Sequence, residues 1–525
     1  MPTKSESESK SKASYNQQKR RAAVIGSGLG GLAAAIRLAA GGVKTVLYEG
    51  LDELGGRAGV FTEDGYVFDR GPTVITAPEA VEELFLVAGK KMSDYVELLP
   101  VEPMYRLLWE DGTRFDYSAD LDALTAEIRR VAPGDEAGYH EFYAYAKKVY
   151  DAGYTELCHV PFLHFWDMVK VAPQLLKLKA HVPVYKTVSR YFASDYLRQV
   201  FSFSSLLIGG NPFTASSIYT LIHPLERKWG VTFPKGGTHA LVRALAKLFT
   251  DIGGEIRLGT PVAAIKTSQG KVTGVQDQKG AVDRFDLVVS NADVTYTYNE
   301  LLRGEPAAKS KAKSLRGKRH SMSLFLLYFG TRKAYPGLLH HNVLFGARYR
   351  ELLQDIFDKG VVSDDFSLYL HAPTLTDPSL APSGCHSFYV LSPVPHLGHG
   401  RYDWERKAEA YADRVIDYLD ERYMPGLRGD ITVRRTFTPL DFESRYHAYQ
   451  GSAFSLEPTL TQSAYFRVHN RDAQIGGLYF VGAGTHPGAG IPGVIGSAKA
   501  TAAVILGEQP APLPKPLGRL VLGSN

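Results

Sequence analysis

The chain has 525 residues, more than one hydrophobic core normally serves, so two or more compact units are expected. Hydrophobic residues make up 44% and charged residues 22%, which excludes a largely disordered chain. A net charge of +5 is too weak for a nucleic-acid binder, though compatible with visits to an anionic membrane surface.

Residues 1–21, rich in Ser, Lys, Glu and Gln, read as a disordered tail without the apolar stretch of a signal peptide. Ala22–Val43 is apolar, but glycines and Arg37 interrupt it, and a membrane span is rejected there. Ala22–Ile25 reads as a short buried strand. Gly26-Ser27-Gly28-Leu29-Gly30-Gly31 follows, then a helix over Leu32–Ala40 and a strand over Lys44–Tyr48 that ends at Glu49. This is the order of a dinucleotide-binding βαβ unit. Gly26 permits the tight turn, Gly28 lets backbone N–H groups approach a pyrophosphate, and Gly31 lets helix and strand pack closely. The phosphates then meet the positive end of the helix, and Glu49 is placed to accept bonds from ribose hydroxyls.

Further along, Gly55-Gly56-Arg57 lets the backbone close over a cofactor, with Arg57 free to neutralise phosphate or approach a flavin ring. An acid followed by Gly-Gly-Arg resembles the large flavoprotein family of amine oxidases, protoporphyrinogen oxidases and carotenoid desaturases, which implies FAD rather than NAD. A strand is expected at Gly65–Asp69, and a mainly helical, aromatic-rich region over Ala123–Ile222. A second helix-to-strand passage covers Ala240–Asn291, and alternating strands are expected at Met322–Phe329 and Ser387–Leu391. No second GxGxxG appears, so no NAD(P)H site is evident and electrons should leave the flavin to oxygen or a quinone. Cys158 and Cys385 lie far apart with no CxxC, which gives no support to a disulfide framework, a thiol redox centre or a metal site, and suits a reducing compartment.

The most informative segment runs from Gly477 to Ser497 and contains Gly482-Ala483-Gly484-Thr485-His486-Pro487-Gly488-Ala489-Gly490, followed by Gly493 and Val494. It resembles the signature of bacterial- and fungal-type phytoene desaturases. The likeness extends to Asp69-Arg70-Gly71-Pro72-Thr73, to Gly209–Phe213 and Pro234–Gly237, and to Leu324–Gly330, His340-His341-Asn342 and Leu370–Thr374. Relatives often carry a small residue where Arg70 stands.

The resemblance implies an α/β fold, a Rossmann-like FAD-binding domain of the GR2 type with an inserted mixed sheet and helical substrate domain. The cofactor domain is expected in three pieces, 22–120, 236–300 and 471–508. The helical substrate and membrane-facing region falls at 121–235, the mixed-sheet substrate domain at 301–470, and a Pro-rich tail at 509–525. FAD contacts are expected from the Gly26–Gly31 turn, Glu49, Gly55, Gly56, Arg57, Gly71, Pro72, Thr73, Gly482, Ala483, Gly484, Gly493 and Val494. The resemblance adds Val262 beside the adenine.

The implied reaction removes a hydride from an allylic carbon of a polyene precursor and a proton from its neighbour, with lycopene or a related carotenoid as product. Positioning, water exclusion and tolerance of a cation matter more than strong acids or bases. His486 and Arg57 are the candidates for catalytic roles, His486 as base or donor and Arg57 chiefly as cofactor clamp. Aromatic residues between Tyr139 and Tyr219 would line a hydrocarbon tunnel. Phe162, Phe165, Trp166 and Val169, with Lys170, Lys177 and Lys179, form a stretch suited to a bilayer surface, hence a cytoplasmic, peripherally membrane-bound enzyme in which an oligomer is possible. The competing readings are a related carotenoid desaturase or isomerase, a flavin amine oxidase, and a lipid escort on the same fold. The last requires a degraded flavin motif, and here that motif is intact.

Overall fold

A computed structural model describes residues 20–508, so the expected N-terminal and Pro-rich tails lie outside the described residues, save Arg20 and Arg21. β1 (Arg21–Ile25), α1 (Leu29–Ala40) and β2 (Lys44–Tyr48) form the expected unit. β1 is the centre of a five-stranded parallel sheet, flanked by β2 and Glu255–Arg257 on one side and by Leu287–Ser290 and Leu478–Phe480 on the other. The sheet is therefore assembled from three distant stretches of chain. Along β1, Ala22 and Val24 enter the apolar cluster around α1, while Ala23 and Ile25 enter a second cluster on the opposite face. Burial on both faces explains the unbroken apolar run. The segment set aside as a membrane span is this strand and helix, and among the described residues no helix is long and apolar enough to cross a membrane.

The second layer is a seven-stranded mixed sheet in the order Ile431–Phe437, Ser323–Thr331, His386–Val394, Leu368–His371, His341–Phe345, Tyr105–Trp109 and Arg114–Tyr117. Strand Ser323–Thr331 is buried at every position rather than alternating with solvent. Leu324, Leu326 and Tyr328 face one apolar cluster, and Phe325, Leu327 and Phe329 face another, so the period of two sorts apolar residues between two cores. One expected boundary moves. Tyr105–Trp109 pairs in parallel with His341–Phe345, so the first cofactor piece gives up its end, near 105–117, to this sheet. A pairing across more than two hundred residues leaves no local trace in the sequence.

The aromatic region also divides. Tyr139, Phe142 and Phe201 pack around His223 as closed core, with Phe192 stacked on Phe201 at 4.8 Å. Phe162, Phe203 and Tyr219 instead reach a cavity described below.

One buried ion cluster ties the chain ends together. Arg37 on α1 lies 3.1 Å from Glu83, and Lys499 on the final helix (Ile491–Leu506) lies 2.8 Å from the same carboxylate. Burial alone would raise the Glu83 carboxyl, but the two cations outweigh it and hold it below the usual range. Its contribution is therefore present above the ordinary carboxylate pKa and lost as pH falls through the lowered one. Glu83→Ala strands two buried cations and should cost about 3–5 kcal/mol. Thermal unfolding at neutral pH should show a lower midpoint for the variant, and an unchanged midpoint would contradict the role assigned to the cluster.

Candidate functional site

The turn between β1 and α1 is built from backbone. Gly26 has φ +94°, and a Cβ at Gly31 would lie 1.9 Å from the Gly26 carbonyl, so both positions exclude a side chain. The amide of Asn291, which follows strand Leu287–Ser290, fills the adjoining gap. Its Nδ2 donates to the Gly26 carbonyl at 3.3 Å, and its side chain would meet a Cβ on Gly28 at 3.0 Å or on Gly30 at 2.8 Å. Gly482, at φ +97°, meets the same amide from the C-terminal piece, and its N–H donates to Ser497 Oγ at 2.8 Å. The three stretches of chain that build the five-stranded sheet thus converge on Asn291.

Glu49 stands on the cavity wall at the end of β2. Its Oε2 accepts from the Ser27 N–H at 2.8 Å and the Ser27 hydroxyl at 2.5 Å, and its Oε1 accepts from the Leu51 N–H at 3.0 Å. A carboxylate offers about four acceptor positions, which leaves capacity for a ribose hydroxyl. Ser27 Oγ in turn accepts from the Gly55 N–H at 3.0 Å. Ser27 and Gly31 do not line the cavity; they hold the residues that do. Gly484 is likewise off the wall, packed against Val294 and Ser455. The remaining expected contacts, among them Leu29, Gly56, Pro72, Val262, Ala483 and Val494, face one continuous cavity of about 1020 Å³.

Two observations show that the cavity fits FAD. Arg57 Nε and Nη2 are buried with no hydrogen-bond partner, a guanidinium facing the cavity with donors to spare for an anionic or carbonyl group. The final helix presents Gly490, Ile491 and Gly493 to the cavity, where the positive helix end suits a phosphate or ribityl oxygen. A Cβ at Gly493 would fall 2.7 Å from the Gly488 carbonyl.

The loop Gly71–Thr73, expected to face the flavin, is braced from behind. A Cβ at Gly71 would fall 2.5 Å from the Arg57 carbonyl, and the Tyr389 hydroxyl donates to the Gly71 carbonyl at 2.8 Å. Thr73 Oγ1 bonds the Tyr369 and Tyr389 hydroxyls at 3.0 and 2.9 Å, and Tyr369 reaches His341 Nδ1 at 2.6 Å. His340, His341 and His371 each bring a nitrogen within 4.8 Å of the others, a grouping the sequence reading did not foresee. It is internally bonded: His340 Nε2 lies 3.0 Å from His371 Nε2, and burial pushes all three imidazoles down toward the neutral form.

His486 lies on the cavity wall, edge-on to Phe162 at 4.9 Å. Its Nε2 donates to the Leu157 carbonyl at 3.1 Å, so Nδ1 is the bare nitrogen. Burial pushes its pKa down to about 4, which makes it a weak base and suits a loop-positioning role better than proton abstraction. Cys158 also lines the cavity, and burial pushes its thiol up to about 12, which favours the protonated form. Asn291 and the Asp293 that caps the next helix were missed in the sequence. The available signal was Ser290-Asn291-Ala292-Asp293, an Asn and a capping Asp at the carboxyl end of a buried strand.

Comparison with known proteins agrees with this geometry. Residues 29–506 match the family described as flavin containing amine oxidoreductase. The chain is 55% identical over 93% of its length, and 99% of the relative's, to the phytoene desaturase (lycopene-forming) of Pseudescherichia vulneris. It is 44% identical to the phytoene desaturase (neurosporene-forming) of Rhodobacter capsulatus, over 92% of this chain and 94% of that one. The chain belongs to the phytoene desaturase family. It is an FAD-dependent oxidoreductase. Among solved structures, an oxidoreductase from Methanosarcina mazei shares the fold with TM-score 0.60 at 17% identity, covering 91% of this chain and 99% of that one.

If Arg57 clamps the cofactor, Arg57→Ala should weaken FAD binding about 10- to 100-fold, the range of a charge-assisted hydrogen bond. Flavin content per polypeptide and titration of the stripped protein would measure it. Unchanged affinity would remove Arg57 from the FAD site.

Proposed function

We propose that this protein desaturates phytoene to lycopene, with FAD as the immediate oxidant and a membrane surface as the source of substrate. FAD supplies a two-electron acceptor for hydride. The protein supplies position and dryness. The supporting observation is that the cavity holding the FAD-binding glycines continues into an apolar chamber walled by residues such as Leu206, Leu207, Met322, Phe345, Leu391 and Phe454. That lining can grip a hydrocarbon through dispersion and area burial alone. Oxygen or a quinone would reoxidise the flavin.

Membrane pickup rests on helix Phe165–Lys177, which has no buried residue. Phe165 is 54% exposed, Trp166 69% and Leu176 64%, while Leu175 on the same helix lines the cavity. Lys170, Lys177 and Lys179 are exposed alongside. Exposed apolar bulk beside a cavity wall, with lysines for lipid phosphates, is the pattern of a surface-lying amphipathic helix.

Expression in a phytoene-accumulating bacterium tests the reaction: conjugated pigment with the chromophore of lycopene is expected. FAD-loaded protein that leaves phytoene unchanged would reject it. Phe165→Ala with Trp166→Ala should reduce flotation with anionic vesicles at least about tenfold, since each buried aromatic contributes about 1.5–3 kcal/mol, while FAD content is retained. Undiminished flotation would reject this helix as the membrane contact.

A further inference from the structure

Desaturating one carbon–carbon single bond removes two hydrogens and two electrons. One hydrogen leaves as hydride to the flavin. The other leaves as a proton, and the electron pair of its C–H bond becomes the new π bond. That proton needs an acceptor inside a water-poor cavity. His486 is a weak base with its protonated nitrogen on a backbone carbonyl, and Arg57 cannot accept a proton.

Glu226 is the unexplained group on the same wall. It belongs to helix Ile222–Trp229, lines the cavity beside Ile222 and Leu225, and is 2% exposed. Although Asp69 and Glu79 are buried on hydrogen bonds to backbone N–H groups and a phenol, Glu83 is paired with the cations Arg37 and Lys499, and Glu457 with Arg319. Glu226 is not. Its Oε1 accepts from the Tyr105 hydroxyl at 2.8 Å, and the Tyr117 hydroxyl also bonds it.

The neighbouring cations turn away. Arg227 donates to the Ala119 carbonyl and the Tyr139 hydroxyl and lies 4.9 Å over the Tyr143 ring, and Lys228 reaches the Tyr150 hydroxyl. Burial favours the neutral forms of the surrounding titratable groups. His223 bonds Tyr117, and His341 packs against Tyr105; burial pushes both imidazoles down. Tyr369, beyond Tyr105, is a buried phenol. A carboxylate facing an apolar cavity with phenols as its only hydrogen-bond partners is poised between its two forms, and burial raises it to about 7.

We infer that Glu226 is the catalytic base of the desaturation, its carboxylate taking the proton from the carbon adjacent to the site of hydride removal. The inference rests on the desaturase reading above. Tyr105 and Tyr117 orient the carboxylate and keep it from being lost to water or an ion pair.

The test uses the full-length, FAD-loaded protein with phytoene in liposomes. Glu226→Gln preserves the shape and the bond from Tyr105, so FAD content and phytoene binding should match the parent. Turnover should fall about 100-fold or more, the usual contribution of a positioned base. Glu226→Asp should recover part of it. In the parent, turnover should drop as pH falls through about 7, because a base must be ionised. That limb should be missing from the residual activity of Glu226→Gln.

A readout independent of turnover is the infrared carbonyl stretch of a protonated carboxyl. In the parent-minus-Glu226→Gln difference spectrum this band should grow as pH falls through the same range, the contributions of other raised carboxyls such as Glu79 and Asp69 cancelling. An active parent with Glu226→Gln within about threefold of it would overturn the assignment of the base alone. So would an infrared titration identical in the two proteins. A parent that binds FAD and leaves phytoene intact would overturn the desaturase reading, and this inference with it.

Discussion

Close backbone approach at one side chain, Asn291, is the constraint on which the site depends. Gly28 and Gly30 from the first βα turn, and Gly482 from the C-terminal loop, all stand so near this amide that a Cβ would fall 3.0, 2.8 and 2.6 Å from it. Because the wall is backbone, its N–H groups can reach a dinucleotide that side chains would keep at a distance. The parallel sheet makes the meeting possible by placing the carboxyl ends of β1, Leu287–Ser290 and Leu478–Phe480 side by side. Ligands of open parallel sheets gather at such strand ends for this reason.

From that fixed cradle the rest of the architecture follows outward. The seven-stranded sheet, buried on both faces along Ser323–Thr331, gives the cavity a rigid apolar wall. Tyr369 and Tyr389 project from it to hold Thr73 and Gly71, so this stretch of the cavity wall is positioned by the seven-stranded sheet as well as by its own chain neighbours. The two halves of the site are therefore coupled, and a change in the wall should be felt at the cofactor. Helix Phe165–Lys177 places one side chain, Leu175, on the cavity and others in solvent.

The parts of this account that were legible in the sequence are local ones. The Gly26–Gly31 turn, Glu49 and the Gly482–Val494 loop each lie within a short window whose spacing has a steric cause, and the structure gathers them around one cavity. What stayed hidden depends on long-range pairing. Glu226 meets Tyr105 across 121 positions, and Thr73 meets Tyr389 across 316. No periodicity encodes such partners. The same reason moved strands 105–117 into the larger sheet and turned much of the aromatic region into closed core instead of tunnel. Ser27, Gly31 and Gly484 were legible as important but not as supports rather than contacts, since spacing cannot say which side of a turn faces a ligand.

The central claim is that one cavity presents a hydrocarbon to FAD. Anaerobic mixing of the FAD-loaded protein with phytoene-bearing liposomes tests it most directly, with flavin and polyene absorption followed together. The account predicts that the visible flavin absorption bleaches in step with the appearance of new conjugated double bonds, one per flavin before reoxidation. Flavin that stays oxidised beside bound, unchanged phytoene would contradict it.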